Sequence, residues 1–373
     1  MKVLLRTPVN PFTGYGNDGI GLAEALVRAG ADVRLAPTHF SPPVSQEVAD
    51  LLTKPQEAPF DLYINHAPPG QLLLKPESAE HMGFAVGWTM WEAMSFDDMP
   101  KKERKPMRKN FTTFDMIAGY DPVSTQALST MAPVEKLETI QGGFDPGSWT
   151  PVERDWTGDR FSFIMHGQLH DRKDPFTAIM AFRELKIEKG EAFDGAELHM
   201  HTTIPGLHPA MEQWTHKLRI HYASWPRETL QAFYGSGHVL LAPSRGEGKN
   251  LPALEFMATG GAVIATNFGG HTMWLNRDYS YPLNYEPRSY DARYPRCIQA
   301  AASKDHLKEL MWHVYSHRDE VQRKAQIASE VIPQMCSWDH QLAEFMRKIS
   351  TKGDKGRKVW DRWCALMPQK GAA

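Results

Sequence analysis

Two glutamates, Glu247 and Glu255, stand eight positions apart in the stretch PSRGEGKNLPALEFMATGGAVIA, which runs from residue 243 to residue 265. Glu247 lies in a glycine-bearing loop, whereas Glu255 lies inside the helix that the sequence predicts after it. Because only one of them follows a helical period, local spacing does not bring both carboxylates to one metal ion. We therefore expect separate roles along an extended ligand. The alternative for each glutamate is a solvated surface charge, since charged residues are mostly exposed.

Secondary-structure signals place these glutamates at the edge of a sheet. Short apolar runs predict buried parallel strands at His238–Ala242 and Ala262–Ala265. Between them, Asn250 is a candidate N-cap, Pro252 falls in the first helical turn, and Gly260 is a candidate left-handed stop. A loop that enters a helix at the carboxyl edge of a parallel sheet presents backbone N–H groups and a positive dipole end. The sequence thus predicts an anion-binding site.

This glutamate pair, within PSRGEGKNLPALEFMATGGAVIAT, closely resembles the donor-site motif of retaining glycosyltransferases of family four, among the glycosyl transferases group 1. The resemblance implies that Glu247 lies beside the donor sugar and that Glu255 binds the ribose hydroxyls. It also implies that the backbone of Gly248–Leu251 holds the diphosphate. Lys249 and Asn250 stand where the family usually has Phe-Gly, and this departure bears on the sugar preference.

A second element, GQLHDRKD at residues 167–174, resembles the family's Gly-Arg-Leu and Lys-Gly segment. In the family its arginine and lysine neutralise the donor diphosphate. Lys173 matches the lysine, but Gln168 occupies the arginine's position. Arg172 is the candidate to compensate, because a nearby guanidinium also makes bidentate contacts to phosphate.

A glycine motif near the start of the chain permits two interpretations. Gly14–Gly19 is a literal G-x-G-x-x-G, which is the fingerprint of dinucleotide binding. Six residues separate it from the preceding predicted strand, and no acid near Thr38 closes the next strand, so we disfavour an NAD site. The family resemblance instead makes Gly14, Tyr15 and Gly16 part of a loop that meets the donor phosphates.

Strand ends supply the other candidates, since ligands bind outside the carboxyl ends of parallel strands. His66 closes the predicted strand Pro59–His66, and Glu92 follows the predicted strand Phe84–Thr89. Both are candidate catalytic residues. In the second half of the chain, the resemblance makes Ser224 a candidate contact of the nucleotide base.

We expect no metal site and no resident cofactor; the donor would be a UDP- or GDP-hexose. His199 and His201 project to one face of a predicted strand, as a metal pair would, but no third ligand lies nearby in the sequence. Lys173, Arg172 and the loop amides would supply the positive field at the diphosphate instead.

Composition limits the remaining classes of function. The net charge of −2 gives no general attraction to nucleic acid or to an anionic membrane. The run Lys101–Lys109 is the strongest local charge, predicted as a solvated face or as a contact for a phosphate-bearing acceptor or a membrane surface. Three cysteines without CxxC spacing and no long apolar segment lead us to expect a cytoplasmic protein without an obligate protein partner.

The length of 373 residues predicts two domains. We expect the α/β GT-B fold: a Rossmann-like acceptor domain at 1–150, a Rossmann-like donor domain at 151–335, and helices at 336–373 that cross back onto the first domain. The implied function is transfer of a hexose, with retention, from a nucleoside diphosphate sugar to a hydroxyl acceptor such as a glycan or lipid. The alternatives are a transferase that acts on a hydroxylated base in DNA, an NAD-dependent oxidoreductase, and a non-catalytic module that binds nucleotide sugars.

Overall fold

A computed structural model describes residues 1–74, 80–204, 209–291, 293 and 295–366. The chain forms two compact units. Unit 1 comprises Met1–Phe144, Ser289–Cys297 and Cys336–Ala373, and unit 2 comprises Asp145–Arg288 and Ile298–Met335. Residues 289–297, which the sequence-based division assigned to the second domain, thus group with unit 1. Residues 367–373 of the predicted last segment lie outside the described residues.

Unit 1 is built on a six-stranded parallel sheet of order β2-β1-β3-β4-β5-β6. Its strands are β1 (Lys2–Val9), β2 (Asp32–Phe40), β3 (Phe60–His66), β4 (Met82–Thr89), β5 (Met116–Gly119) and β6 (Leu137–Thr139). The helices between them are α1 (Gly14–Arg28), α2 (Gln46–Thr53), α3 (Lys101–Thr112) and α4 (Pro122–Leu128). The strand order reverses between β1 and β3, which places the topological switch point of this sheet there.

The prediction of a glycine loop at Gly14–Gly19 is wrong, because α1 already begins at Gly14. Thr13 caps this helix, its side chain accepting a hydrogen bond from the Gly16 backbone N–H. A Cβ on Gly16 would overlap the backbone of Asn10. The glycine at this position therefore lets the first turn of α1 pack closely against the chain that leaves β1.

The last helices of unit 1 are α10 (Trp338–Ser350) and α11 (Gly353–Cys364). The ring of Trp88, at the end of β4, stacks on Phe345 of α10 with 4.8 Å between ring centroids. Gly21 of α1 faces Trp338, and a Cβ there would overlap the indole. Sheet, α1 and α10 therefore share one apolar core.

Unit 2 repeats the plan with a six-stranded parallel sheet of order β12-β11-β10-β7-β8-β9. Its strands are β7 (Phe161–His166), β8 (Ala196–Thr202), β9 (Leu218–Tyr222), β10 (Val239–Ala242), β11 (Ala262–Thr266) and β12 (Tyr281–Leu283). A two-stranded sheet of β13 (Tyr285–Ser289) and β14 (Ile298–Ala302) follows. The helices are α5 (Pro175–Lys189), α6 (Arg227–Ser236), α7 (Leu251–Ala258), α8 (Lys304–Ser316) and α9 (Arg318–Met335).

Both sheets have the buried, apolar strands that a parallel sheet covered on two faces requires. In unit 2 the order reverses between β7 and β10, so the loops that leave these two strands meet at the switch point. Within the described part of the chain, no helix combines the length and apolar character needed to cross a bilayer.

Candidate active site

The switch point of unit 2 brings together the two loops that the sequence singled out. One loop runs from β7 through residues 167–174, and the other runs from β10 through residues 243–250. A backbone hydrogen bond of 2.7 Å from the Arg245 N–H to the Arg172 carbonyl joins them. Because parallel strands end at the same edge, loops far apart in the sequence become neighbours here.

A compact ion cluster links these loops through Glu247. Its Oε1 lies 2.7 Å from Nζ of Lys173, and its Oε2 lies 3.1 Å from Nη1 of Arg172. The Arg172 guanidinium also donates to the Gly246 carbonyl. The Glu247 carboxylate is only 5% exposed, and this burial acts to raise its pKa. The positive charges of Lys173 and Arg172 outweigh burial and hold the pKa well below its ordinary value.

Asn250 shapes the entry to helix α7. Its backbone is left-handed, with φ of 66°, a conformation that glycine and asparagine tolerate better than other residues. This explains how asparagine can stand where the resembled family has glycine. Asn250 is the N-cap residue, but its side chain makes no capping hydrogen bond. The first-turn N–H groups of α7 are therefore not capped by this side chain, which suits an anion-binding helix end.

The Asn250 side chain instead joins the ion cluster to His271. Its Oδ1 lies 3.5 Å from Nζ of Lys173, and its Nδ2 lies 2.9 Å from Nε2 of His271. The other ring nitrogen, Nδ1, lies 2.8 Å from the Thr266 carbonyl, to which it donates, so Nε2 accepts from the amide. Burial lowers the pKa of His271 to about 4, against the opposing effect of Glu247. His271 is therefore a neutral residue that fixes the amide of Asn250.

The loop that follows β11 forms hydrogen bonds to the loop that carries Glu247. The Gly270 N–H donates to the Glu247 carbonyl at 2.7 Å, and Trp274 Nε1 donates to the Lys249 carbonyl at 2.9 Å. A Cβ on Gly270 would overlap the Gly248 carbonyl. These contacts make the backbone conformation of residues 247–250 a property of the packed unit.

Glu255 lies in α7 and has a different environment from Glu247. Its Oε2 accepts a 2.9 Å hydrogen bond from the hydroxyl of Tyr234 on α6. The carboxyl is 9% exposed, and burial raises its pKa to about 7, although the Tyr234 hydrogen bond and Lys249 lower it in part. Near neutral pH this group exchanges a proton readily, whereas Glu247 remains charged.

The segment predicted to meet the base borders an aromatic stack. Ser224 itself is exposed after β9. The adjacent Trp225 lies face to face with His201, with 3.6 Å between ring centroids. His201 is already engaged by the Ala223 carbonyl and by His166 Nδ1, each at 2.8 Å. This imidazole is thus a packing and hydrogen-bonding residue.

His199, the other histidine of the predicted metal pair, contacts Glu197 at 3.1 Å. Among the residues that the structure describes, no three histidine, cysteine or acidic side chains are grouped to hold a metal ion.

In unit 1 the structure places the candidate catalytic His66 inside the core. It has no exposed surface, and its ring contacts the Thr7 hydroxyl at 2.8 Å and the Tyr120 hydroxyl at 2.6 Å. Tyr120 in turn donates to the buried carboxylate of Asp18 at 2.9 Å. Since no substrate atom reaches a fully enclosed ring, the geometry favours a positioning role for His66 over the catalytic role we expected.

The remaining candidate site residues of unit 1 lie after the carboxyl end of β4 and at the start of α1. The Tyr15 hydroxyl accepts from the Met90 N–H at 2.9 Å, and burial raises its pKa well above the ordinary value. The negative charge of Glu92 acts in the same direction, so this partly exposed carboxylate lies near Tyr15. Gly14 is exposed, whereas the Gly16 N–H is used in capping α1.

The structure therefore unites Glu247, Lys173, Arg172 and Asn250 in one cluster, with Lys249 held next to them. Gln168 and Ser224 are exposed in neighbouring strand-end loops, Gly248 is buried beneath Gly270, and Leu251 opens α7. Sequence reasoning assigned no role to two of the partners, His271 and Tyr234. His271 follows a strand, so the strand-end rule could have found it. Tyr234 has no local signal, because only tertiary packing brings α6 to Glu255.

Comparison with known proteins gives a family match for part of the chain and a match of fold for most of it. Residues 160–282, which lie wholly within unit 2, match the family described as Glycosyl transferases group 1. The match confirms the resemblance to the glycosyl transferases group 1 over these residues of unit 2, and it does not test the narrower assignment to retaining family four. No curated protein matches the chain at the level of sequence.

Solved structures with the GT-B fold match nearly the whole chain. Sucrose-phosphate synthase from Thermosynechococcus elongatus has a TM-score of 0.65 and 13% identity, over 94% of this chain and 99% of that one. Anabaena HepE in complex with UDP-glucose has a TM-score of 0.62 and 12% identity, over 93% and 100%. A glycosyltransferase from Rickettsia africae has a TM-score of 0.64 and 12% identity, over 94% and 98%. At these identities the likeness establishes the fold, which is the predicted GT-B.

Proposed function

We propose that this protein is a retaining glycosyltransferase that moves a hexose from a nucleoside diphosphate sugar to a hydroxyl acceptor. The observation that carries the proposal is the Glu247 cluster at the switch point of unit 2. Two cations, Arg172 and Lys173, meet one buried carboxylate beside a helix N-terminus. Together they give the cluster a local excess of positive charge, which matches the charge of a diphosphate.

The roles follow from where charge changes during transfer. When the bond between the anomeric carbon and the diphosphate breaks, negative charge grows on the departing phosphate oxygen. Lys173, Arg172 and the N–H groups at the start of α7 are fixed beforehand and stabilise that charge without reorganising. Glu247 remains ionised, so it is suited to accept hydrogen bonds from sugar hydroxyls and to orient the sugar.

Glu255 is assigned to the ribose. Its carboxyl lies in α7 and is held by Tyr234 of α6; it stands eight residues beyond Glu247 in the sequence, so it serves another part of an extended ligand. A carboxylate accepts two hydroxyl hydrogen bonds, as a ribose diol offers. Ser224, beside Trp225, is proposed to contact the base, and the complex of HepE with UDP-glucose makes UDP-glucose the first donor to test.

Transfer is proposed to need no divalent metal, because side-chain cations and a helix end already supply a positive field at the diphosphate position. A chelator test decides this point. Transfer that persists in EDTA agrees with the proposal, whereas transfer that stops in EDTA and returns with Mg²⁺ or Mn²⁺ contradicts it.

The decisive experiment combines binding with product analysis. We expect UDP-hexose or GDP-hexose to raise the melting temperature, because a ligand that binds only the native state stabilises it. Incubation with the stabilising donor and a panel of glycan, lipid and hydroxymethylated-DNA acceptors should yield a product with the donor's anomeric configuration, measured by NMR. Inverted product contradicts retention. Binding without donor consumption across the panel would instead support the non-catalytic module, and stabilisation by NAD alone would support the oxidoreductase.

A further inference from the structure

Helix α3 has one apolar, buried face and one positively charged, exposed face. Met107 and Phe111 are buried in the core of unit 1. At about 100° per residue, five cations fall within an arc of roughly 120° on the opposite face. We call this set the basic face; its members are Lys101, Lys102, Lys105, Arg108 and Lys109, all exposed. The single acid of the helix, Glu103, lies outside the arc.

Within the part of the chain that the structure describes, the charges of the basic face are unpaired. Among the described residues, none of its five side chains forms an ion pair or hydrogen bond. Arg104, which lies beside the arc, is the contrast, because it pairs with Asp97 at 3.0 Å. The five cations of the basic face are therefore available to a partner.

This arrangement opposes the stability of the helix that carries it. Lys101 and Lys105, and Lys105 and Lys109, are like charges four residues apart, which destabilise a helix by about 0.2–0.5 kcal/mol per pair. Lys101 and Lys102 also place positive charge at the positive end of the helix dipole. A merely solvated face gains nothing from such a pattern, whereas a face that binds a polyanion does.

One further cation, Lys136, lies beside the end of α3. Lys136 donates to the carbonyls of Thr112 at 2.9 Å and Phe114 at 2.7 Å. Lys352 reaches the carbonyl of Glu135 at 2.9 Å, just beside Lys136. Lys352 is ion-paired with Glu138 at 2.7 Å, so it adds no unpaired charge to the basic face.

We propose that the basic face binds the phosphate backbone of duplex DNA. The face spans about 12 Å along α3 at 1.5 Å per residue. A duplex presents one negative charge per roughly 1.7 Å of axis, so several phosphates oppose the five cations over that length. Contacts from lysine and arginine ends to phosphates select backbone and not sequence.

The side chains of α3 favour DNA over a membrane surface. Helices that lie on membranes insert tryptophan, phenylalanine or leucine from the face that meets the lipid. The basic face holds no apolar side chain, and none of the large exposed apolar side chains of the described chain lies on α3. A purely polar face matches the rigid, densely charged surface of a duplex.

The proposal does not depend on the glycosyltransferase proposal, since it concerns a surface of unit 1 and is measured by binding alone. It bears on transfer through the order of elements, because α3 begins after the loop that leaves β4, and this loop contains Glu92. Lys101 and Lys102, at the start of α3, are therefore the members of the basic face nearest the end of the sheet where we expect the acceptor.

Fluorescence anisotropy with a labelled, unmodified duplex of about 20 base pairs tests the proposal. The logarithm of the association constant for the duplex, plotted against the logarithm of salt concentration between about 50 mM and 200 mM, should have a slope near −4.5 for five phosphate contacts. The double variant Lys105→Gln/Arg108→Gln should reduce the slope by about 2 and weaken binding at low salt. The matched control is Arg183→Gln/Arg323→Gln, two exposed cations of unit 2 with the same change in charge.

The outcomes separate the partners. DNA binding that weakens in the Lys105/Arg108 variant and persists in the control supports the proposal. Absence of DNA binding, or equal binding by both variants, overturns it. Sedimentation with phosphatidylserine vesicles, lost in the Lys105/Arg108 variant while duplex binding is absent, overturns it in favour of a membrane surface. Thermal melts of both variants, expected to match the wild type, exclude misfolding as the cause.

Discussion

Unit 1 and unit 2 share one plan but place their charges differently. Each is a six-stranded parallel sheet with a reversal of strand order. Unit 2 buries charge at that reversal, where Glu247 lies between Lys173 and Arg172. Unit 1 buries a network of hydrogen-bonded side chains around His66 and Tyr120. Its concentrated positive charge lies on the exposed surface of α3.

The difference indicates different roles for the two buried groups. Burying ions is costly unless they are paired and hydrogen-bonded, and the cluster of unit 2 meets this demand while keeping an excess of positive charge. Such a cluster suits a small, highly charged ligand that is enclosed. The enclosed network of His66 and Tyr120 instead fixes the shape of unit 1. Substitutions in the two regions should therefore change different measurements.

The largest expected effect is on turnover, from loss of a cation in unit 2. Lys173→Ala and Arg172→Ala should each lower kcat by about 10²–10³, or roughly 2.7–4 kcal/mol, with little change in KM, because their contacts strengthen as the leaving group gains charge. Steady-state kinetics with varied donor measures this. Arg183→Ala, which removes an exposed cation outside the site, is the control and should be nearly silent. A wild-type kcat for Arg172→Ala would show that it does not replace the family's arginine.

The next effect is on the stability of unit 2. Arg154 is 8% exposed and donates to the carbonyls of Gly237 at 2.7 Å and Tyr234 at 3.1 Å, and to the hydroxyl of Thr259 at 2.8 Å. It thus ties the ends of α6 and α7 together. Arg154→Ala should lower the free energy of unfolding by about 3 kcal/mol, measured by urea denaturation. Equal losses from Arg183→Ala, an exposed control, would contradict this assignment.

A third prediction uses the contrast in pKa between the two glutamates. The pKa of Glu255 rises from 4.5 to about 7 in the folded protein, so the native state binds the extra proton between these values. Stability from this group is therefore present at low pH and is lost as pH rises toward 7 and above. Glu255→Gln should flatten that part of the curve of unfolding free energy against pH.

The same substitution should weaken binding of the nucleotide by about 1–3 kcal/mol, because it removes an acceptor for the ribose diol. Nucleotide affinity of the wild type should rise as pH increases through about 7, when the carboxylate forms, and Glu255→Gln should lose this dependence. Calorimetry at several pH values measures it, with the exposed Glu228→Gln as control. An unchanged affinity profile in the Glu255 variant would refute the ribose assignment.

The smallest effect is expected in unit 1. Tyr120→Phe removes the hydroxyl that contacts His66 and Asp18, and should lower the free energy of unfolding by about 1–2 kcal/mol. Donor affinity, measured by calorimetry, should not change, because this network belongs to unit 1. A large loss of donor affinity in Tyr120→Phe, with an unchanged free energy of unfolding, would contradict the different roles given to the two units.

Local sequence signals predicted much of the fold and part of the site. The apolar runs around Ala242 and Ala265 and the glycine at 260 correctly indicated strand, helix and stop, because these depend on neighbouring residues. The glycine motif from Gly14 failed, since the same residues suit a phosphate loop and a tightly packed helix start. Only the approach of Asn10 distinguishes the two.

The sequence by itself predicted the parallel α/β plan and, through the family resemblance, two separate diphosphate-binding elements, one with Glu247 and one with Arg172 and Lys173, because periodicity, motifs and residue chemistry are local properties. Tertiary structure joined these two elements into one ion cluster. Tertiary structure decided which groups are charged and which are enclosed. The pKa of Glu255 depends on burial and on Tyr234 from another helix, and the neutrality of His271 depends on burial. The enclosure of His66 likewise depends on Thr7 and Tyr120, which lie far from it in the chain. Desolvation arises from everything packed around a group, so no short stretch of sequence contains it.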